Sequence, residues 1–90
     1  MNVSDFNKKY SNYLEFGHYG VFIDNERFLK YLNEMFMNII LHHPKFKFTQ
    51  VKAKFGQVRF YSNLEMETGL QLESELNTYY KTLINQKDGQ

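Results

Sequence analysis

The chain contains no cysteine. That excludes a disulfide framework, a thiolate metal site and a cysteine nucleophile, so stability must come from packing or self-association. It has a single alanine, Ala53, and a single proline, Pro44. No stretch approaches the roughly 20 apolar residues that a membrane span requires. The start of the chain, Met1-Asn2-Val3-Ser4-Asp5-Phe6, carries no apolar signal segment. A soluble, cytoplasmic protein with no membrane association is expected. Acid is missing from the whole middle of the chain. Between Met35 and Leu64 the only charged residues are Lys45, Lys47, Lys52, Lys54 and Arg59.

What the chain does have is aromatic mass: nine Phe and seven Tyr in 90 residues. Rings bury much area per residue, which helps one small domain reach positive net stability. The expectation is a single α+β domain over residues 1–90, with a frayed tail from Gln86 to Gln90. Its net charge of +1 conceals a polarity along the sequence, because Glu65, Glu67, Glu73 and Glu75 follow the basic middle segment. Two readings stand side by side. Either the acidic segment folds back beside the basic one and neutralises it, or the cations face an anionic partner.

Elements follow from hydrophobic spacing. Ser4 is positioned to cap a first helix carrying Phe6, Tyr10, Tyr13 and Leu14, ending by Phe16 or Gly17. Gly17-His18-Tyr19-Gly20 reads as a loop and Val21-Phe22-Ile23 as a brief extended segment. Asp24 or Asn25 then caps the main helix, from about Asn25 to Leu41. Its apolar stripe is Phe28, Leu29, Leu32, Met35, Phe36, Ile39 and Ile40. Pro44 ends it, since the residue before a proline avoids helical geometry. A hairpin follows from about Phe46 to Ser62, and its change of parity calls for either a bulge near Thr49-Gln50 or an irregular lead-in after Pro44. Thr68 with Gln71 resembles a capping box for a last helix from about Gly69 to Asn85. Leu72, Leu76, Tyr79, Tyr80, Leu83 and Ile84 should face inward. The order is α-α-β-β-α, with the hairpin packed on the helices.

Within the hairpin, a two-residue turn at Phe55-Gly56 would pair Ala53 with Val58 and Val51 with Phe60 on one face. The other face would pair Lys52 with Arg59 and Gln50 with Tyr61. Opposed cations destabilise a strand pair, so this face is the main functional lead. Lys52, Lys54, Arg59, Tyr61 and Lys47 are the candidate partner-binding residues.

The segment Gln50-Val51-Lys52-Ala53-Lys54-Phe55-Gly56-Gln57-Val58-Arg59-Phe60-Tyr61, preceded by Gly20-Val21-Phe22 leading into an amphipathic helix, resembles a small domain common in phage and prophage proteins. That domain has a hairpin reading roughly Q-V-K-x-K-F-G-x-L-R-F-Y. The resemblance spans about Gly20 to Leu83 and implies a phage-borne or prophage-borne origin, with action in the host cytoplasm. It brings no activity and no catalytic residues. Members of that group often carry a Cys pair after the last helix; this chain has none, so no metal role is carried over.

Catalytic chemistry finds little support. His42-His43 are adjacent and point apart, His18 is the only other imidazole, and zinc usually takes three or four protein ligands. A histidine in a last helical turn instead favours the negative end of the helix dipole. Glu65, Glu67, Glu73 and Glu75 read as a solvated helix face. Gly17 and Gly20 lack the strand-to-helix setting of a phosphate loop. No nucleophile, base and oxyanion donor come together, so a non-enzymatic protein without cofactor or metal is expected. The first functional reading is an inhibitor-like module that blocks a host protein with an acidic surface, of the anti-defence or anti-CRISPR kind. The alternatives are an oligomeric protein that sequesters a nucleotide-like anion and a nucleic-acid-binding module. A homodimer formed through a free hairpin edge is also expected.

Overall fold

The structure is a computed structural model that describes residues 1–15 and 19–88, with side chains through Asn85. Its elements are α1 (Val3–Lys9), a 3-10 turn (Ser11–Tyr13), β1 (Gly20–Val21), α2 (Glu26–His42), β2 (Phe48–Lys54), β3 (Gln57–Ser62) and α3 (Met66–Asp88). The fold is α+β, as the periodicities indicated. No helix among the described residues is long and apolar enough to cross a membrane.

Local chemistry explains most boundaries and corrects several. Asn2, not Ser4, caps α1. Its side chain accepts from the Asp5 amide at 2.8 Å while the Asp5 carboxylate reaches back to the Asn2 amide at 3.4 Å, a reciprocal capping box. The helix stops at Lys9, well before Phe16, and the chain continues as the 3-10 turn. Gly17 and His18 of the expected loop lie outside the described residues. Asn25 caps α2, accepting from the Phe28 amide at 3.0 Å. Thr68 does not cap α3. The first helical bond runs from the Gly69 amide to the Glu65 carbonyl at 2.8 Å, so Thr68 lies inside the first turn. At its far end α3 continues past Asn85 to Asp88. Gly89 and Gln90 of the expected tail lie outside the described residues.

The hairpin register is the one its sequence implies. Gln50 pairs with Tyr61, Val51 with Phe60, Lys52 with Arg59, Ala53 with Val58 and Lys54 with Gln57, and the register shifts between Phe48 and Gln50. Phe55 (φ 54°) and Gly56 (φ 76°) occupy the turn. Positive φ at both central residues is the signature of the primed turns whose twist matches that of the strands. The sheet, however, has a third strand. Gly20 and Val21 run parallel to β2, paired with Gln50 and Val51, giving the order β1-β2-β3. The Phe22 amide extends this edge by donating to the Val51 carbonyl at 2.9 Å.

One face of this sheet is covered. Val21, Phe48, Val51, Val58 and Phe60 are buried together with Phe6, Phe28, Leu29, Leu32, Phe36, Phe46 and Leu76. Phe36 on α2 is the hub, with ring centroids 4.8 Å from Phe48, 5.2 Å from Phe46 and Tyr10, and 5.4 Å from Phe6. Edge-on contacts of this kind suit the ring quadrupole. Phe28 meets Tyr80 of α3 edge-on, and Tyr31 stacks on Tyr79 at 4.3 Å. Ala53 shares the parity of Val51 but is exposed, because the hairpin projects beyond the helices that cover the rest of the face. The whole tip, Ala53 to Gln57, stands in solvent.

Both sheet edges are closed by asparagine. On β1, the Val21 amide donates to Asn7 Oδ1 at 2.9 Å and Asn7 Nδ2 donates to the Val21 carbonyl at 3.2 Å. On β3, the Val58 amide donates to Asn77 Oδ1 at 2.7 Å and Asn77 Nδ2 donates to the Val58 carbonyl at 2.9 Å. The next outward amide, that of Phe60, donates to Glu73 Oε2 at 2.9 Å. A carboxamide carries one acceptor and two donors, so it can stand in for the peptide of a missing strand. Gly20 is part of this device: a Cβ there would lie 2.8 Å from Asn7 Oδ1, and its φ of +135° suits glycine. The free hairpin edge on which the expected dimer rested is thus not free. β1 takes one side of the hairpin and the side chains of α3 take the other.

Candidate functional site

The candidate site is the second face of the same sheet. Strand alternation that buries Val51, Val58 and Phe60 turns Lys52, Arg59 and Tyr61 outward. Lys52 is directly opposite Arg59, and Gln50 directly opposite Tyr61. Alternation after the buried Val21 places Phe22 on this side too, beside Lys52. Among the described residues no helix covers it. Tyr61 is 48 % exposed and Phe22 59 %, so two rings frame a row of cations on the strand surface.

The acidic segment folds back beside β3, with Glu73 at the Phe60 amide, and makes no ion pair to that row among the described residues. Among the described residues, Lys52, Lys54 and Arg59 form no ion pair, whereas the N-terminus pairs with Glu26 at 3.9 Å. Glu73 is spent on the Phe60 amide. Glu75 lies near Tyr31, whose hydroxyl is pushed above its ordinary pKa by burial, then by Glu75 and Tyr79. Of the five residues singled out from the sequence, Lys52, Lys54, Arg59 and Tyr61 fall together. Lys47 does not join them. It precedes β2, and its Nζ donates to the Asn12 carbonyl at 2.6 Å, tying the hairpin base to the 3-10 turn. Asn63 braces the same region, accepting from the Lys47 amide and donating to the Lys45 carbonyl.

The residue that sequence reasoning undervalued is Phe55. Its ring is 93 % exposed at the hairpin tip, and its backbone sits at φ 54°. A left-handed backbone costs a side chain with a Cβ about 1 kcal/mol, and asparagine is the usual residue at this turn position. Neither burial nor backbone preference accounts for a phenylalanine there. The Lys54 ammonium lies 5.7 Å from the centroid of its ring. The signal was present in the sequence as Phe where a two-residue turn favours Asn before Gly.

Elsewhere the surface offers less. A cavity of about 480 Å³ lies between the end of α2 and the start of α3, lined by His42, His43, Lys45, Glu65 and Thr68 over Phe46 and Leu64. No hydrogen bond joins those polar groups to one another. His42 Nδ1 is 2.9 Å from the Asn38 carbonyl; a carbonyl only accepts, so that nitrogen carries hydrogen. No group of three or more metal-binding side chains occurs among the described residues. Comparisons with protein families, with curated proteins and with solved structures gave no match.

Proposed function

We propose that this chain is a small non-enzymatic binding protein that blocks a host protein by laying its open sheet face against an acidic surface. The observation that carries the reading is the opposed pair Lys52 and Arg59, uncovered and without a carboxylate partner among the described residues. Like charges facing each other across strands destabilise the pair, and an anionic partner converts that cost into binding energy and encounter rate. Tyr61 and Phe22 supply the aromatic contacts that interfaces favour. The phage-type origin and the blocking role rest on the resemblance of the hairpin segment.

The test uses Lys52→Glu/Arg59→Glu. Both side chains leave the buried face untouched, so the variant should keep its fold. As baits against a bacterial lysate, wild type should retain a protein of acidic surface and the double variant should lose it, with raised salt acting in the same direction. Retention at equal strength by both baits would reduce the face to a solubilising surface. Mass spectrometry of small molecules that copurify covers the sequestration alternative: a bound nucleotide in place of a protein would favour it.

A further inference from the structure

We propose that Phe55 is the anchor of this contact, entering an apolar pocket of the partner protein while the cations behind it meet an acidic rim. The inference rests on the reading of the open face as a docking surface and adds the residue and the partner chemistry that complete it.

Three observations converge on Phe55. Its ring is the most exposed of the large apolar side chains among the described residues, and it sits at the tip of the projecting hairpin. Its backbone is held in the left-handed region although a bulky residue there is disfavoured. Strain of this kind persists where the surrounding structure enforces it, and it clusters at ligand clamps. Finally, Lys54 adjoins the ring, and Lys52 and Arg59 follow on the same open face. Charge complementarity therefore defines the occupant: a protein pocket with apolar walls and carboxylates at its mouth. A tight turn presents the ring with little backbone freedom left to lose on binding, and aromatic anchors of this sort dominate interface energetics. The exposed basic loop with an aromatic tip also fits insertion into an anionic lipid surface. A protein is favoured because the cations extend back along two paired strands behind the ring, a broad surface suited to a complementary protein.

The experiment compares wild type, Phe55→Asn, Phe55→Leu and Lys52→Glu/Arg59→Glu, each checked by thermal melts. The probe is the principal protein that wild type retains from a bacterial lysate, purified and titrated by calorimetry against all four. Vesicles of phosphatidylcholine and phosphatidylserine form a parallel arm. Phe55→Asn should melt a few degrees above wild type, since asparagine accepts the turn geometry, yet bind about 30-fold more weakly or worse. Phe55→Leu should retain part of the affinity. Wild-type affinity in Phe55→Asn together with loss in the double variant would overturn the anchor and leave the face standing. Wild-type affinity in both would overturn both. Retention of no protein, with or without ring-dependent binding to the vesicles, would overturn the protein pocket.

Discussion

On one side of the sheet Val51, Val58 and Phe60 are sealed under α2 and α3; one residue away along the same strands, Arg59 and Tyr61 stand in solvent and Lys52 is half-buried. A single register sets both arrangements, because alternation carries each neighbour to the opposite face. The covered side is built for stability: rings around Phe36 meet edge-on, and among the described residues no buried side-chain polar atom is left without a partner. The open side carries features that work against stability. Two cations oppose each other, and a phenylalanine occupies a strained turn. Side chains on the closed face account for why the chain folds. Those on the open face are explained by what they meet outside it.

The largest way to break this contrast is to remove the hub. Phe36→Ala should cost about 3–5 kcal/mol and Leu32→Ala about 2–5 kcal/mol, enough to unfold so small a domain. The double charge reversal on the other face should leave Tm within a few degrees. Melts that rank the two the other way would dissolve the division of labour.

Next come the edges. Asn77→Ala strips the Val58 amide and carbonyl of their partner and should cost about 1–3 kcal/mol by urea denaturation. It also reopens an edge strand, so light scattering should show more concentration-dependent association than in wild type. Faster hydrogen exchange at the Val58 amide would locate the defect.

Alkaline titration sharpens the buried side further. Tyr10 is buried, donates to Asn33 Oδ1 at 2.6 Å, and is pushed up to about 12 by burial and, second, by Tyr13. A raised pKa means that between pH 10 and about 12 the folded state holds a proton that the unfolded state has released. The Tyr10 contribution is therefore whole below pH 10 and is lost as pH rises towards 12. The fall in stability over that window should be shallower in Tyr10→Phe.

Much of this contrast was legible in the sequence. The register, the turn, the bulge and the stripe of α2 follow from period and parity, which act locally and leave a pattern. Four features did not. β1 is two residues long, too short for alternation to register, and it exists because Asn7 supplies its missing partner. Asn7 and Asn77 read as poor helix formers on polar faces; their role appears only once the fold brings them against strand edges. Glu73 looked like a solvated acid and proved to be a ligand of the Phe60 amide. The start of α3 was misplaced because Thr68 and Gln71 matched a capping pattern while the chain had already turned helical at Met66. Of the site, four cation and tyrosine positions were visible, whereas Lys47 was drawn away by the Asn12 carbonyl, a contact that sequence separation conceals.

The smallest expected effect bears most directly on the open face. Lys52→Glu places a carboxylate opposite Arg59, turning a repulsive cross-strand pair into an attractive one worth about 0.2–1 kcal/mol. Stability and capture should be measured on the same preparation of this variant. If the cations are kept for a partner, Tm rises slightly while the protein retained by wild type is lost. A variant that is no more stable than wild type and still captures that protein would contradict the account.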